Sequence, residues 1–199
     1  MLDQQPEPKA AGSQPSTASA RSAAKPRLGQ IMLLIAAVAI GIVGIRNCDA
    51  QMRAAQIDPG SLVNRFVVSS PMLMSLSAAL LFAGLSPPRR RWSELGRRPG
   101  FTACWVTTLV TAIETVSRFA VHPDALTSLD NFIHSFDYGF FWPATAQVGF
   151  GVLIAWTTLA LAGRWRSEAS WIDRSGRVLG VVWILAFLAD RFYWLMRLL

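Results

Sequence analysis

Apolar residues fall in five long runs along this chain, separated by shorter polar segments. The runs cover about residues 28–45, 62–85, 101–121, 138–162 and 178–197. A helix of about 20 residues crosses the hydrocarbon core of a bilayer, which is about 30 Å thick, and each run is close to that length. The pattern predicts an all-α integral membrane protein, with a bundle of five transmembrane helices within residues 28–199.

The third run, FTACWVTTLVTAIETVSRFAV, carries polar side chains on one helical face. The polar positions recur at steps of three and four residues: Cys104, Thr107, Thr111, Glu114, Thr115 and Arg118. A membrane helix turns such a stripe toward other helices or water rather than toward lipid. We therefore expect this helix to lie at the centre of the bundle.

Local signals mark the start of the second helix and an interruption within it. Residues 46–60 form a polar connection that ends in an Asp-Pro-Gly turn signal. Ser61 is then expected to cap the second helix. Pro71 is expected to kink this helix. Nearby hydroxyl groups are expected to help satisfy the backbone groups that proline frees: those of Ser69, Ser70, Ser75 and Ser77.

The segments outside these runs differ in character. Residues 1–27 are rich in proline, alanine, serine and glutamine, which predicts a disordered tail. In the first run, Ala37 and Gly41 form a small-xxx-small pair that favours close helix contact. Apolar residues at helical spacing in residues 122–137 predict a short interfacial helix on the outer face.

The composition supports a membrane protein. The chain has 199 residues, of which 52% are hydrophobic and 16% are charged, whereas about a quarter of the residues in a soluble domain are charged. The net charge of +7 is carried by basic residues that lie between the apolar runs. This placement points to membrane topology rather than to nucleic acid. The expected partners are the lipid bilayer and other membrane subunits.

The distribution of basic residues predicts an orientation. Thirteen of the 19 lysines and arginines lie in the tail, in the loop 86–100 and in the loop 163–177. Five spans place all three segments on one side, and the positive-inside tendency makes that side cytoplasmic. We expect the bacterial inner (plasma) membrane, with the N-terminus cytoplasmic and the C-terminus outside. Cys48 falls in the loop after the first span and Cys104 near the opposite end of the third span, so no disulfide is expected between them.

Charged side chains form a predicted layer within the membrane. Glu114 and Arg118 lie four residues apart on the third span, and Asp190 and Arg191 lie on the fifth. Counted from the cytoplasmic edge, Glu114 and Asp190 fall at about the same depth. A structural ion cluster is the simpler interpretation, and a proton, ion or anionic-substrate site is the sharper one.

A second polar cluster is predicted on the outer face. It comprises His122, Asp124, Asp130, His134 and Asp137. Imidazoles beside carboxylates suit divalent metals or acid–base chemistry. The spacing matches no zinc signature, so hydrogen bonding and helix capping are the simpler interpretation. We predict no metal, and the sequence identifies no cofactor.

Three residues of this region also follow the pattern D-x-x-x-H-x-x-x-Y: Asp130, His134 and Tyr138. This pattern resembles a motif of the VanZ-like membrane proteins, a family linked with glycopeptide resistance. The resemblance covers about ten residues, and Asn131 stands where the family usually has lysine. It implies an outer-face site, and no assignment rests on it.

Three functions remain open at this point. The leading one is a non-enzymatic accessory, scaffold or assembly subunit, because candidate catalytic groups are few and little of the chain lies outside the apolar runs. The second is a small transporter or proton-coupled binding protein that uses the charge layer. The third is a membrane enzyme that acts on lipid-linked or envelope substrates through the outer His and Asp residues.

Overall fold

The computed structural model describes residues 27–57, 61–86, 92–121, 127–128, 131, 138–168 and 170–199. The helices are α1 (Leu28–Ala54), α2 (Leu62–Leu85), the short α3 (Trp92–Leu95), α4 (Pro99–Val121), α5 (Tyr138–Leu161) and α6 (Trp171–Leu198). Within the described residues there is no strand, so the predicted all-helical class is confirmed. Nearly all of the predicted tail and of the predicted interfacial helix lies outside these residues.

Four of the helices, α1, α2, α5 and α6, are long and apolar enough to cross a membrane. This agrees with the predicted membrane-embedded helical bundle. Helix α4 is 23 residues long but is not one of the four. Its threonines, Glu114 and Arg118 lower its hydropathy, although its length equals that of a spanning helix.

Successive long helices run in alternating directions. The side-chain amide of Gln30, near the start of α1, donates to the carbonyl of Ala83 near the end of α2 over 3.2 Å. The backbone N–H of Gly100, at the start of α4, donates to Oδ1 of Asp173 at the start of α6 over 3.0 Å. The end of α2 also lies beside the start of α4, since a Cβ atom on Gly84 would be 3.3 Å from the Phe101 ring. Near the end of α5, the Trp156 indole donates to the carbonyl of Pro99 at the start of α4. Helices α1, α4 and α6 therefore begin at one end of the bundle, where α2 and α5 finish. We call this the proximal end and the opposite one the distal end.

Helix α1 is nine residues longer than the predicted span, and it includes most of the segment that was predicted to be a polar connection. Cys48 and Met52 are buried in this extension, four residues apart on one face. On the exposed side, Arg53 pairs with Asp49 one turn earlier. The apolar contacts of one face thus continue the helix through a polar stretch of sequence.

Helix α2 begins as predicted. The backbone N–H of Asn64 donates to the Ser61 hydroxyl over 3.2 Å, which confirms the predicted cap. Pro71 lies inside the helix and has no N–H for the carbonyl of Val67, four residues earlier. The Ser70 hydroxyl donates to that carbonyl over 2.7 Å. Serine thus restores the hydrogen bond that proline removes, as the sequence indicated.

Helix α6 begins at Trp171, seven residues before the predicted span. The hydroxyl of Ser170 accepts the backbone N–H of Asp173 over 3.3 Å and caps the helix. The predicted loop 163–177 is therefore partly helical. Asp173 and Gly176, which the sequence placed in that loop, are buried in the first two turns of α6.

The core lies among α2, α4, α5 and α6, and α1 contributes Cys48 to it. Its largest cluster of buried residues is Cys48, Val63, Val67, Met74, Ala103, Phe140, Phe141, Ala144, Val148, Val152 and Trp183. Helix α4 packs on α2, α5 and α6 and buries Cys104 and Thr107 of its polar stripe, whereas Leu109, Ile113 and Val116 on its other face are exposed. The predicted inward orientation of the stripe is confirmed.

Helix α1 packs chiefly along α2 and leaves most of its apolar side chains exposed. Ala37 and Gly41 are buried in that contact. A Cβ atom added to Gly41 would lie 2.8 Å from Cα of Met72. The small-residue pair therefore permits a close approach inside this chain.

Candidate functional site

The charged residues of α4 line a small pocket near the distal end of the bundle. The pocket has a volume of about 230 Å³, and its walls are Glu114, Ser117, Arg118, Val121, Gly139, Phe140 and Pro143. The first four belong to α4 and the others to the start of α5. A carboxylate and a guanidinium therefore lie beside a mostly apolar wall, an arrangement that suits a small polar group.

The other half of the predicted charge layer has its own contacts. The Asp190 carboxylate is buried, and its Oδ2 lies 3.6 Å from Nη2 of Arg191. The guanidinium of Arg191 also lies 5.3 Å from the centre of the Phe187 ring. These contacts join neighbours within α6, and the pairing of Glu114 and Arg118 with Asp190 and Arg191 stays a prediction.

The predicted outer-face cluster cannot be placed. His122, Asp124, Asp130, His134 and Asp137 all lie outside the described residues. Within the part of the chain that the structure describes, no group of three or more histidine, cysteine, aspartate or glutamate residues is arranged to hold a metal ion. Cys48 and Cys104, both described, are buried in different helices and form no disulfide, as expected.

Threonine hydroxyls of the polar stripe are hydrogen-bonded within their own helix. Thr107 donates to the carbonyl of Ala103 over 2.9 Å, Thr111 to that of Thr107 over 2.8 Å, and Thr115 to that of Thr111 over 2.7 Å. Each hydroxyl donor is thereby satisfied without a partner helix. The stripe between Thr107 and Glu114 consequently offers a ligand fewer hydrogen-bond donors than its composition indicates.

An apolar cleft adjoins the charged pocket. It has a volume of about 520 Å³ and is lined by Ile40, Val43, Gly44, Asn47, Pro71, Met74, Ser75, Ala78, Thr108, Thr111, Ala112, Phe140 and Phe141. Phe140 belongs to the walls of both spaces. Ile40 and Val43 are largely exposed, so the cleft opens sideways between α1 and α4.

A carboxylate at the proximal end of the bundle, Asp173, is buried and bonded to three other residues. Only 2% of Asp173 is exposed. Its Oδ1 accepts the N–H of Gly100 over 3.0 Å, and its Oδ2 accepts the N–H of Glu168 over 3.1 Å. The Nε of Arg177 lies 3.4 Å from the same Oδ2. One aspartate thus fastens the start of α4, the loop 162–170 and the start of α6; we call this arrangement the proximal clasp.

Glycines allow the backbones to meet at the clasp. A Cβ atom on Gly100 would lie 2.1 Å from the carbonyl oxygen of Asp173, and one on Gly176 would lie 2.4 Å from the carbonyl oxygen of Gly100. One turn further along α6, a Cβ atom on Gly180 would lie 2.4 Å from the indole ring of Trp156. These three positions have no room for a larger side chain.

Two further contacts hold the loops of the proximal end. The Trp156 indole N–H donates to the carbonyl of Pro99 over 2.9 Å, and the Arg166 N–H donates to the carbonyl of Arg97 over 3.0 Å. Arg98 forms an ion pair with Glu168. A polar pocket of about 340 Å³ lies between these loops, with Arg97, Arg98 and Arg166 among its lining residues.

The sequence contained a signal for the clasp that its apolar pattern concealed. Ser170 and Asp173 have the spacing of a helix cap, and Gly176 and Gly180 form a second small-xxx-small pair. Both features lie in or beside a segment whose arginines indicate a loop. Cap spacing and small-residue spacing would have found the early start of α6, but the burial of Asp173 depends on α4.

Comparison with known proteins finds no matching family model, no matching curated protein and no matching solved structure. The function of the chain therefore rests on its own geometry.

Proposed function

We propose that this chain is a five-span bacterial inner-membrane protein that serves as a non-enzymatic accessory, scaffold or assembly subunit. The observation that carries the proposal is the proximal clasp. A carboxylate that bonds two backbone N–H groups and faces an arginine holds three segments in fixed relation. This buried carboxylate thus fastens helices to one another, which suits a rigid docking body better than a moving carrier.

Support for α4 as a fifth span comes from its packing and direction. It contacts three helices that are each apolar enough to cross a membrane, and its start is joined to the start of α6. Its charged residues lie near the distal end and partly buried, where neighbouring helices separate them from lipid. A helix of 23 residues enclosed in this way spans the bilayer without a uniformly apolar sequence.

The five-span topology predicts a pattern of labelling. In a background in which Cys48 and Cys104 are replaced, single cysteines within 46–60 or 122–137 should react with a membrane-impermeant maleimide in intact cells. Cysteines within 86–100 or 163–177 should react only after permeabilisation, because the arginines there hold those loops in the cytoplasm. Labelling of the 86–100 loop in intact cells would contradict the orientation and the span count together.

A subunit should purify with its partner. We expect the chain, extracted in a mild detergent, to elute as a complex with another membrane protein in a fixed ratio. The ratio should persist when Glu114→Gln is introduced, because the clasp lies at the opposite end of the bundle. Elution of a lone, monodisperse chain from its native membrane would count against a subunit.

A transporter or proton-coupled binding protein is the second candidate, and the pocket at Glu114 and Arg118 favours it. A carboxylate and a guanidinium at one site suit a small zwitterion or an exchanged ion. The two candidates differ in the effect of Glu114→Gln. It should abolish uptake by a transporter, and it should leave a subunit complex intact.

A further inference from the structure

The size of the apolar cleft between α1 and α4 limits what it can hold. A helix has a diameter of about 10 Å and rises about 1.5 Å per residue, so 520 Å³ accommodates only about four helical residues. A transmembrane helix of a partner is therefore too large for the cleft. The volume falls within the range of about 300–1,000 Å³ that is usual for small-ligand sites.

The residues that line the cleft favour the binding of a hydrocarbon chain. Isoleucine, valine, methionine, phenylalanine, alanine and proline form most of the walls. The nearby hydroxyls of Thr108 and Thr111 donate to carbonyls of their own helix over 2.8 Å each, so they demand no polar ligand. The opening lies beside the exposed side chains of Ile40 and Val43, at a depth where lipid tails surround the bundle. A chain can enter from the bilayer without crossing water.

The charged pocket lies at one end of this cleft. Phe140 separates the two spaces and contributes to both. From Thr111 to Arg118, α4 rises about 10 Å toward the distal end, which is less than half of a hydrocarbon core about 30 Å thick. A head group held at Glu114 and Arg118 therefore places its acyl chain at the level of the cleft.

We propose that the cleft and the charged pocket together bind one glycerophospholipid whose head carries both a phosphate and an ammonium group. The phosphate faces Arg118, since a guanidinium forms charge-assisted hydrogen bonds with phosphate oxygens. The ammonium group faces the Glu114 carboxylate, and one acyl chain occupies the cleft beside Ala112. This site is independent of the proposed subunit role, because it requires neither the clasp nor a protein partner.

The proposal predicts where a photoreactive lipid attaches. The probe is a phosphatidylethanolamine with a diazirine in one acyl chain, mixed into phosphatidylglycerol vesicles that hold the purified full-length chain. After irradiation, mass spectrometry should locate the adducts on the cleft walls in preference to the exposed faces of α1 and α4. Ala112→Phe should reduce the cleft adducts about tenfold, or about 1.4 kcal/mol, because the added ring fills the space of the acyl chain.

A matched control separates the site from ordinary lipid contact. Ala120→Phe places the same ring on the same helix, at an exposed position that lines neither space, and should leave the adducts unchanged. Adducts spread evenly over the apolar surface would overturn the proposal in favour of annular lipid. An equal reduction of the cleft adducts by Ala112→Phe and Ala120→Phe would also overturn the proposal. So would a cross-link between a cleft residue and a second protein chain.

The head group is tested with a diazirine-bearing diacylglycerol, which has the same chains and no phosphate or ammonium. The phospholipid should label the cleft about tenfold more strongly, and Arg118→Gln should remove most of that advantage while Arg118→Lys keeps much of it. Unchanged elution and melting temperature of each variant show that the fold persists. Equal labelling by both probes in the unaltered chain would overturn the assignment of the head group.

Discussion

Asp173→Ala should destabilise the bundle by about 3–5 kcal/mol, one of the two largest losses that we expect from a single substitution. The change leaves Arg177 beside an empty position and leaves the N–H groups of Gly100 and Glu168 without their acceptor. The N–H group of Gly100 is buried, so water does not replace the bond that it loses. The measurement is the unfolding midpoint in detergent micelles titrated with sodium dodecyl sulfate.

Asp49→Ala serves as the matched control for this prediction. Asp49 also pairs with an arginine four residues away, but Arg53 is 76% exposed at its side chain and water takes over the lost contact. A loss of no more than about 1 kcal/mol is expected there. If the two alanine variants unfold at the same point, the clasp contributes no more than a surface ion pair and the argument for a rigid proximal end is lost.

Gly149→Ala should cost about 3 kcal/mol, at the upper end of the usual range for overpacking. The added Cβ would lie 2.3 Å from the carbonyl oxygen of Trp183 and 2.6 Å from Cβ of Phe187. A backbone carbonyl cannot rotate away as a side chain does, so α5 and α6 must separate. Their separation loosens the packing around Trp183, which is fully buried.

Gly29→Ala provides the comparison, since nothing lies within 4 Å of the position of its added Cβ atom. Alanine is the better helix former, so this change should be neutral or stabilise α1 by up to about 1 kcal/mol. Both variants can be followed by the same detergent titration. Equal stability of Gly149→Ala and the unaltered chain would mean that α5 and α6 pack less closely than the structure indicates.

The sequence predicted the helices well wherever the signal was local. Apolar runs identified the five long helices, Ser61 marked the start of α2, and the spacing of Cys104 and Thr107 showed which face of α4 is buried. Each of these features depends on residues within a few turns of one another, and a single chain segment carries them completely.

The features that the sequence missed depend on contacts between distant segments. The residues next to Asp173 in the sequence include arginines, so the local sequence predicts that Asp173 is exposed to solvent. Its burial and its role as an acceptor depend instead on Gly100, which lies in another helix. The extension of α1 has a polar composition, yet Cys48 and Met52 pack inward once α2 lies alongside. Hydropathy measures composition along the chain, so it cannot show burial that a second helix creates.

The contact between α1 and α2 and the anchoring of α4 differ in the sequence separation of the residues that form them. Helices α1 and α2 are consecutive, and their contact at Gly41 and Pro71 forms within one hairpin. Helix α4 is fastened instead by an aspartate 73 residues further along the chain. A chain that stopped before residue 170 would retain every contact between α1 and α2, but the start of α4 would have no carboxylate to accept its N–H group. A premature stop before residue 173 thus removes the anchor of α4.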